Sequence, residues 1–131
     1  MAVRSRLETK GFAEYLEKLA AAGQDIDAVS DEALAAGGEV LLDGMQRRVP
    51  KDTHNLEHHL TVDGPHQDGN FHYVLVGIDK RADADTVRYG NAQEYGTSSM
   101  GAQSYIRPTL DSDMGRARAA MRQVFEEKGA L

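Results

Sequence analysis

Residues 108–129 constrain the fold more than any other stretch of this chain. Leu110, Met114, Ala117, Met121 and Val124 recur at alternating spacings of four and three. That pattern lines one side of an α-helix with apolar atoms. Pro108 stands where a proline opens a helix, and Asp111 and Asp113 suit the positive end of its dipole. Gly129 closes the segment, and Arg116, Arg118 and Arg122 fall off the seam on a solvated face. A chain of 131 residues fits one domain, residues 1–131, and such a domain needs this seam for its own core.

The remaining elements follow from shorter patterns. Phe12, Tyr15, Leu16 and Leu19 predict a first helix over 11–22, with Gly23 as its stop. A second helix is expected over 31–49, with Ser30 as N-cap and Pro50 ending it. Leu34, Leu41, Met45 and Val49 form its stripe. Gly37 and Gly38 each cost it about 1 kcal/mol, so close packing or a kink is expected there. Residues 50–55 read as a turn, 56–62 as a strand, 64–70 as a loop and 71–78 as a second strand, giving an antiparallel hairpin. Residues 79–85 read as a loop, 86–89 as a short strand, and 3–8 as a strand or an arm. The expected fold class is α+β: a small antiparallel β-sheet packed by two N-terminal helices and one long C-terminal helix.

Composition narrows the function. The net charge of −6 argues against phosphate-driven nucleic-acid binding, which needs clustered Lys and Arg. The absence of cysteine excludes disulfides, thiol nucleophiles and Cys-ligated metals. The first ten residues carry no apolar run, so neither a signal peptide nor a membrane span is expected there, and synthesis should be cytoplasmic.

Histidine chemistry supplies the alternative reading, a small His-dependent metal-binding or nucleic-acid-processing enzyme. His54 and His58 share a face on either a helix or a strand. On a strand they lie roughly 13 Å apart, too far for one ion. No His-Glu-x-x-His signature, nucleophile motif or glycine-rich phosphate loop accompanies them. No catalytic residue, cofactor or metal ligand is therefore assigned.

The run Tyr89-Gly90-Asn91-Ala92-Gln93-Glu94-Tyr95-Gly96-Thr97-Ser98-Ser99-Met100 reads as a loop too irregular for a long helix. A polar, tyrosine-framed segment of this size suits recognition or assembly. Glu94 is read as an inter-subunit salt bridge, as a cap on a neighbouring backbone, or as a turn residue. Gly96 is read as a backbone requirement, and Arg107, preceding Pro108, as extended.

In order along the chain, Gly11-Phe12, the turn Val49-Pro50-Lys51-Asp52-Thr53-His54-Asn55-Leu56, Tyr73-Val74-Leu75-Val76-Gly77, Glu94-Tyr95-Gly96-Thr97 and Tyr105-Ile106-Arg107-Pro108 resemble the siphophage tail-component family of head–tail joining and tail-completion proteins. His54 stands where that family usually has glycine. The resemblance implies a structural virion protein of the neck or upper tail, not an enzyme. It would form a subunit ring with itself and contact other neck and tail proteins. DNA would pass through its lumen without specific binding, and no membrane would be involved. Tyr89, Glu94, Tyr95, Gly96, Thr97 and Arg107 are the candidate assembly interface.

Overall fold

The computed structural model describes residues 2–50 and 55–130. The proline turn expected at 51–54, with the His54 departure from the family pattern, lies outside the described residues. The elements run β1 (Arg4–Glu8), α1 (Ala13–Ala21), α2 (Ile26–Arg48), α3 (Asn55–His58), β2 (Leu60–Asp68), β3 (Phe71–Ile78), α4 (Ala84–Tyr95) and α5 (Ile106–Phe125). The sheet is antiparallel with order β1-β3-β2, so the N-terminal segment is a strand added to the free edge of the hairpin. The expected α+β class holds, with α1, α2 and the long α5 as its principal helices.

Alternation decides which sheet face is buried. His72, Val74, Val76 and Ile78 of β3 and Ser5 and Leu7 of β1 point inward, packing the sheet onto α2. Leu34, Leu41, Met45, Met121 and Phe125 complete the core from the helices. Helix α1 ends where the sequence predicts: Gly23 takes φ +81, and Gln24 N–H reaches Leu19 O at 3.0 Å in a Schellman closure. At the far end of α5, Phe125 lies 5.2 Å from Phe12 between ring centroids, and the Arg118 guanidinium lies over the Phe12 ring, 4.7 Å from its centroid.

Several expectations are corrected. Helix α2 begins at Ile26, because the Asp25 carboxylate accepts from Asp27 N–H (3.1 Å) and Ala28 N–H (3.2 Å). Ser30, an equally good capping residue on paper, is buried inside the helix. Residues 56–58 of the expected strand belong instead to a helical turn, Asn55–His58, where Asn55 Nδ2 donates to the Thr86 hydroxyl (2.9 Å). The expected loop 64–70 is mostly strand. Pro65 falls where pairing already shifts between Asp63 and His66, on an edge strand that tolerates its missing N–H. The expected strand 86–89 and most of the expected loop 89–100 are helix α4.

Helix α5 starts two residues before Pro108, and Arg107 is helical instead of extended. Its buried face is Ile106, Thr109, Asp113, Ala117, Met121 and Phe125, rotated from the apolar seam so that Leu110, Met114 and Val124 are half-buried. The paired glycines of α2 face two neighbours: Gly37 lets the helix approach α5 and β1, and Gly38 lets it approach β2 and β3 of the sheet. A Cβ on Gly37 would lie 2.8 Å from Leu7 Cδ2, 2.9 Å from Met121 Cγ and 3.1 Å from Ala117 O, and one on Gly38 would lie 3.0 Å from Val62 Cγ1.

This geometry predicts opposite outcomes for one substitution at two sites. Gly115→Ala in α5 meets nothing within 4 Å and should stabilise by up to about 1 kcal/mol through helix propensity. Gly37→Ala gains the same propensity but strikes a backbone carbonyl. It should lose about 1–2 kcal/mol net. Thermal denaturation of the two variants checks both signs.

Candidate assembly interface

Helix α4 is built by its cap and by its small residues. The Asp83 carboxylate accepts from the Thr86 hydroxyl (2.6 Å) and Thr86 N–H (3.1 Å), and these bonds hold that carboxyl below its ordinary pKa. Gly90 lets the helix settle on the core: a Cβ there would lie 2.5 Å from Ile78 Cδ1 and 3.0 Å from Leu56 Cδ1. The buried Tyr105 hydroxyl donates to Gly90 O at 3.2 Å. Burial pushes the Tyr105 phenol up, and the charge of Glu94 adds to the shift.

Glu94 closes the site. Its Oε1 accepts from Tyr105 N–H (2.9 Å) and Ile106 N–H (2.7 Å), and its Oε2 from Arg107 N–H (3.0 Å). Of the N-cap and first three residues of α5, Tyr105 to Pro108, proline has no N–H, so Glu94 accepts from every donor that the start of the helix leaves free. Tyr105 at the N-cap makes no side-chain cap of its own, and the neighbouring Ser104 hydroxyl donates to Glu94 O at 2.6 Å. The two motifs singled out in the sequence, Glu-Tyr-Gly-Thr and Tyr-Ile-Arg-Pro, are thus partners in one intramolecular cap. Of the readings open to Glu94, the structure displays the cap on a neighbouring backbone.

Gly96 breaks α4 at φ +77, and a Cβ there would lie 2.9 Å from Ala102 N. Thr97 N–H then bonds Met100 O at 2.8 Å, so the residues after α4 form a tight turn. With Glu94 and Gly96 committed to structure, the outward side chains are Tyr95 (72% exposed), Tyr89 and Met100 (39% each), Thr97 and Arg107.

Val3, Tyr95, Arg107, Leu110 and Asp111 are among the residues that line a groove of about 410 Å³ between β1, α4 and α5. Val3 N–H donates to Asn91 Oδ1 at 3.0 Å and holds the groove's wall. A second groove of about 320 Å³ opens at the other end of the fold. Ala13, Leu16, Glu17 and Ala20 of α1, Ile26 of α2 and Phe71 of β3 line it. Sequence reasoning gave no warning of this one, because its lining comes from three separate elements.

His59, His66 and His72 each have their own partners. His72 is buried, with Nδ1 2.7 Å from Asp31 and Nε2 3.0 Å from Asp27, so its two nitrogens face two different carboxylates of α2. His59 Nδ1 faces Asn55 O, and His66 Nε2 faces Asp63 at 3.2 Å. Among the described residues no three His, Cys, Asp or Glu side chains are grouped to hold a metal ion. Among the same residues no helix is long and apolar enough to cross a membrane.

Residues 10–96 match the HK97-gp10-like family model, described as "Bacteriophage HK97-gp10, putative tail-component". The matched span ends inside the Glu-Tyr-Gly-Thr run, leaving β1 and α5 outside it. No curated protein and no solved structure matches the chain.

Proposed function

We propose, from the premise that the chain belongs to the HK97-gp10-like family of bacteriophage tail components, that it is a structural part of the neck or upper tail of a long-tailed phage. The match over 10–96 carries this reading. In it, residues 1–131 act as one unit that completes the tail or joins it to the head as a ring of subunits, and no catalysis is involved. The ring's partners are further copies of the chain and the adjoining neck and tail proteins. Its place is the virion, after synthesis in the host cytoplasm.

Physical features support the ring. Neighbours in a ring meet through two different patches. Two separate grooves and a set of outward aromatic side chains supply surfaces for such contacts. The net charge of −6 suits a lumen along which DNA slides without adhering.

Electron microscopy of particles made after inactivation of this gene tests the proposal. Full heads beside separate tails are expected for a joining role, and tails of uncontrolled length for a role in ending the tail. Normal infectious virions would overturn both.

A further inference from the structure

The two grooves lie at opposite ends of the fold, and we infer that they are the two halves of one head-to-tail contact: Tyr95 and Arg107 of one copy seat in the groove that α1, Ile26 and Phe71 form on the next. This rests on the ring reading above, which makes a second copy the occupant.

Position comes first. The Tyr95 groove sits where β1 begins and β3 ends, as the Arg4–Gly77 pairing fixes. The α1 groove sits where β3 and α2 begin, at Phe71 and Ile26. Strand β3, from Phe71 to Ile78, spans roughly 24 Å between those ends. Tyr95 therefore cannot reach the α1 groove of its own chain. Two non-overlapping patches on one subunit are what a heterologous contact requires.

Shape and stiffness agree. Tyr95 projects with 72% of its surface exposed, yet its neighbours Glu94 and Gly96 are held by the α5 cap and a close backbone approach. An aromatic side chain with two torsions on a rigid mount loses little freedom when it is seated. The receiving groove has the complementary form. Leu16, Ile26 and Phe71 supply apolar walls, and Ala13 and Ala20 leave room between them.

Charge agrees as well. Among the described residues the Arg107 guanidinium and the Glu17 carboxylate each make no ion pair or hydrogen bond. Arg4, Arg47, Arg48 and Arg116 are already engaged with Asp63 or Asp113. Glu17 is the charged residue lining the α1 groove, and Arg107 stands beside Tyr95 on the other. Seating Tyr95 pairs the two across the interface. Asp111, one turn beyond Arg107, is exposed and also lines the Tyr95 groove.

The chain has no cysteine, so an introduced thiol pair reads the contact against no background. Particles are produced from a gene carrying both Ser98→Cys, on the exposed turn beside Tyr95, and Ala20→Cys, and are treated with a short bis-maleimide. A ladder of covalent dimers, trimers and larger forms is expected, with no ladder from either single substitution. Separately, Arg107→Glu and Glu17→Arg should each lower infectious titre by roughly a hundredfold, and their combination should recover most of that loss. Arg107→Ala should reproduce the loss without placing a carboxylate beside Glu94, and the purified variants should melt with the wild type. Particles that incorporate the double-cysteine chain yet give no ladder would overturn the contact, as would a charge exchange that restores nothing. Either result leaves the virion role standing, whereas normal virions after gene inactivation remove that role itself.

Discussion

Replacing Asp113 by alanine is expected to lower stability by about 3 kcal/mol, a fall in Tm of roughly 10 °C for a chain of this size. Asp113 is buried between α2 and α5. Its Oδ2 accepts from Arg48 Nη1 at 2.7 Å and Arg47 Nη2 at 3.4 Å, and its Oδ1 from Arg116 Nη2 at 2.7 Å. Arg48 Nη1 also reaches Gly44 O at 3.2 Å and Thr109 Oγ1 at 3.3 Å, so the charge sits in a closed network. Removing the carboxylate leaves a half-buried guanidinium without its counter-charge, which costs more than the pair itself contributes.

Burial alone would raise the Asp113 pKa, but hydrogen bonds from Arg48 and Arg116 and their charges hold it below the ordinary carboxylate value. A carboxyl depressed in the folded state contributes stability above its unfolded pKa, about 3.9, and loses it as pH falls through the folded value. The gap between wild type and Asp113→Asn should therefore be full at pH 7 and shrink below about pH 4. Chemical denaturation across that range checks the sign. An unchanged gap in acid would refute the ionised network.

Glu94→Ala is the second large effect expected. It strands the N–H groups of Tyr105 and Ile106, which are buried, and that of Arg107 at the edge. At about 1–3 kcal/mol for each buried donor left unpaired, a loss near 3 kcal/mol is expected. Glu94→Gln, which keeps an acceptor oxygen but no charge, should fall between. Hydrogen exchange at Tyr105, Ile106 and Arg107 should rise before exchange elsewhere in α5. Tyr95→Ala beside it should leave stability within about 0.5 kcal/mol of wild type, as an exposed site away from any network. The pair separates structure from surface within one motif: an assembly defect from Glu94 variants is confounded by unfolding, and one from Tyr95 variants is not.

Helix α5, strand β3, the hairpin and the Gly23 stop were legible because their signals are local. A helix with an apolar stripe, or a strand beginning at Phe71, carries its period in consecutive residues. Helix α4 was not legible. Its glycines and polar residues read as a loop, and its stability comes from an Asp83 cap and from Gly90 lying against Ile78 and Leu56. The start of α2 was missed for a related reason. Asp25 and Ser30 are both good caps in sequence; Asp25 takes the role, and Val29 and Ser30 lie buried inside the helix that it starts.

The motifs themselves divide in the same way. Their order along the chain and their aromatic and glycine content were enough to point to a phage tail component, since those are properties of sequence alone. What each residue does was decided by the tertiary structure. Glu94 became a cap because α5 begins with no side-chain cap of its own, and Tyr95 was left outward by the turn of α4. Asp113, which looked like an ordinary first-turn acid, became the buried counter-charge of Arg48 and Arg116. Period and composition specify which segments are helix or strand, because those depend on neighbours in the chain. The pairing of charges, caps and grooves depends on which segments meet, and only the packing of α2 on the sheet, of α5 on α2 and of α4 beside the start of α5 brings those groups within bonding distance.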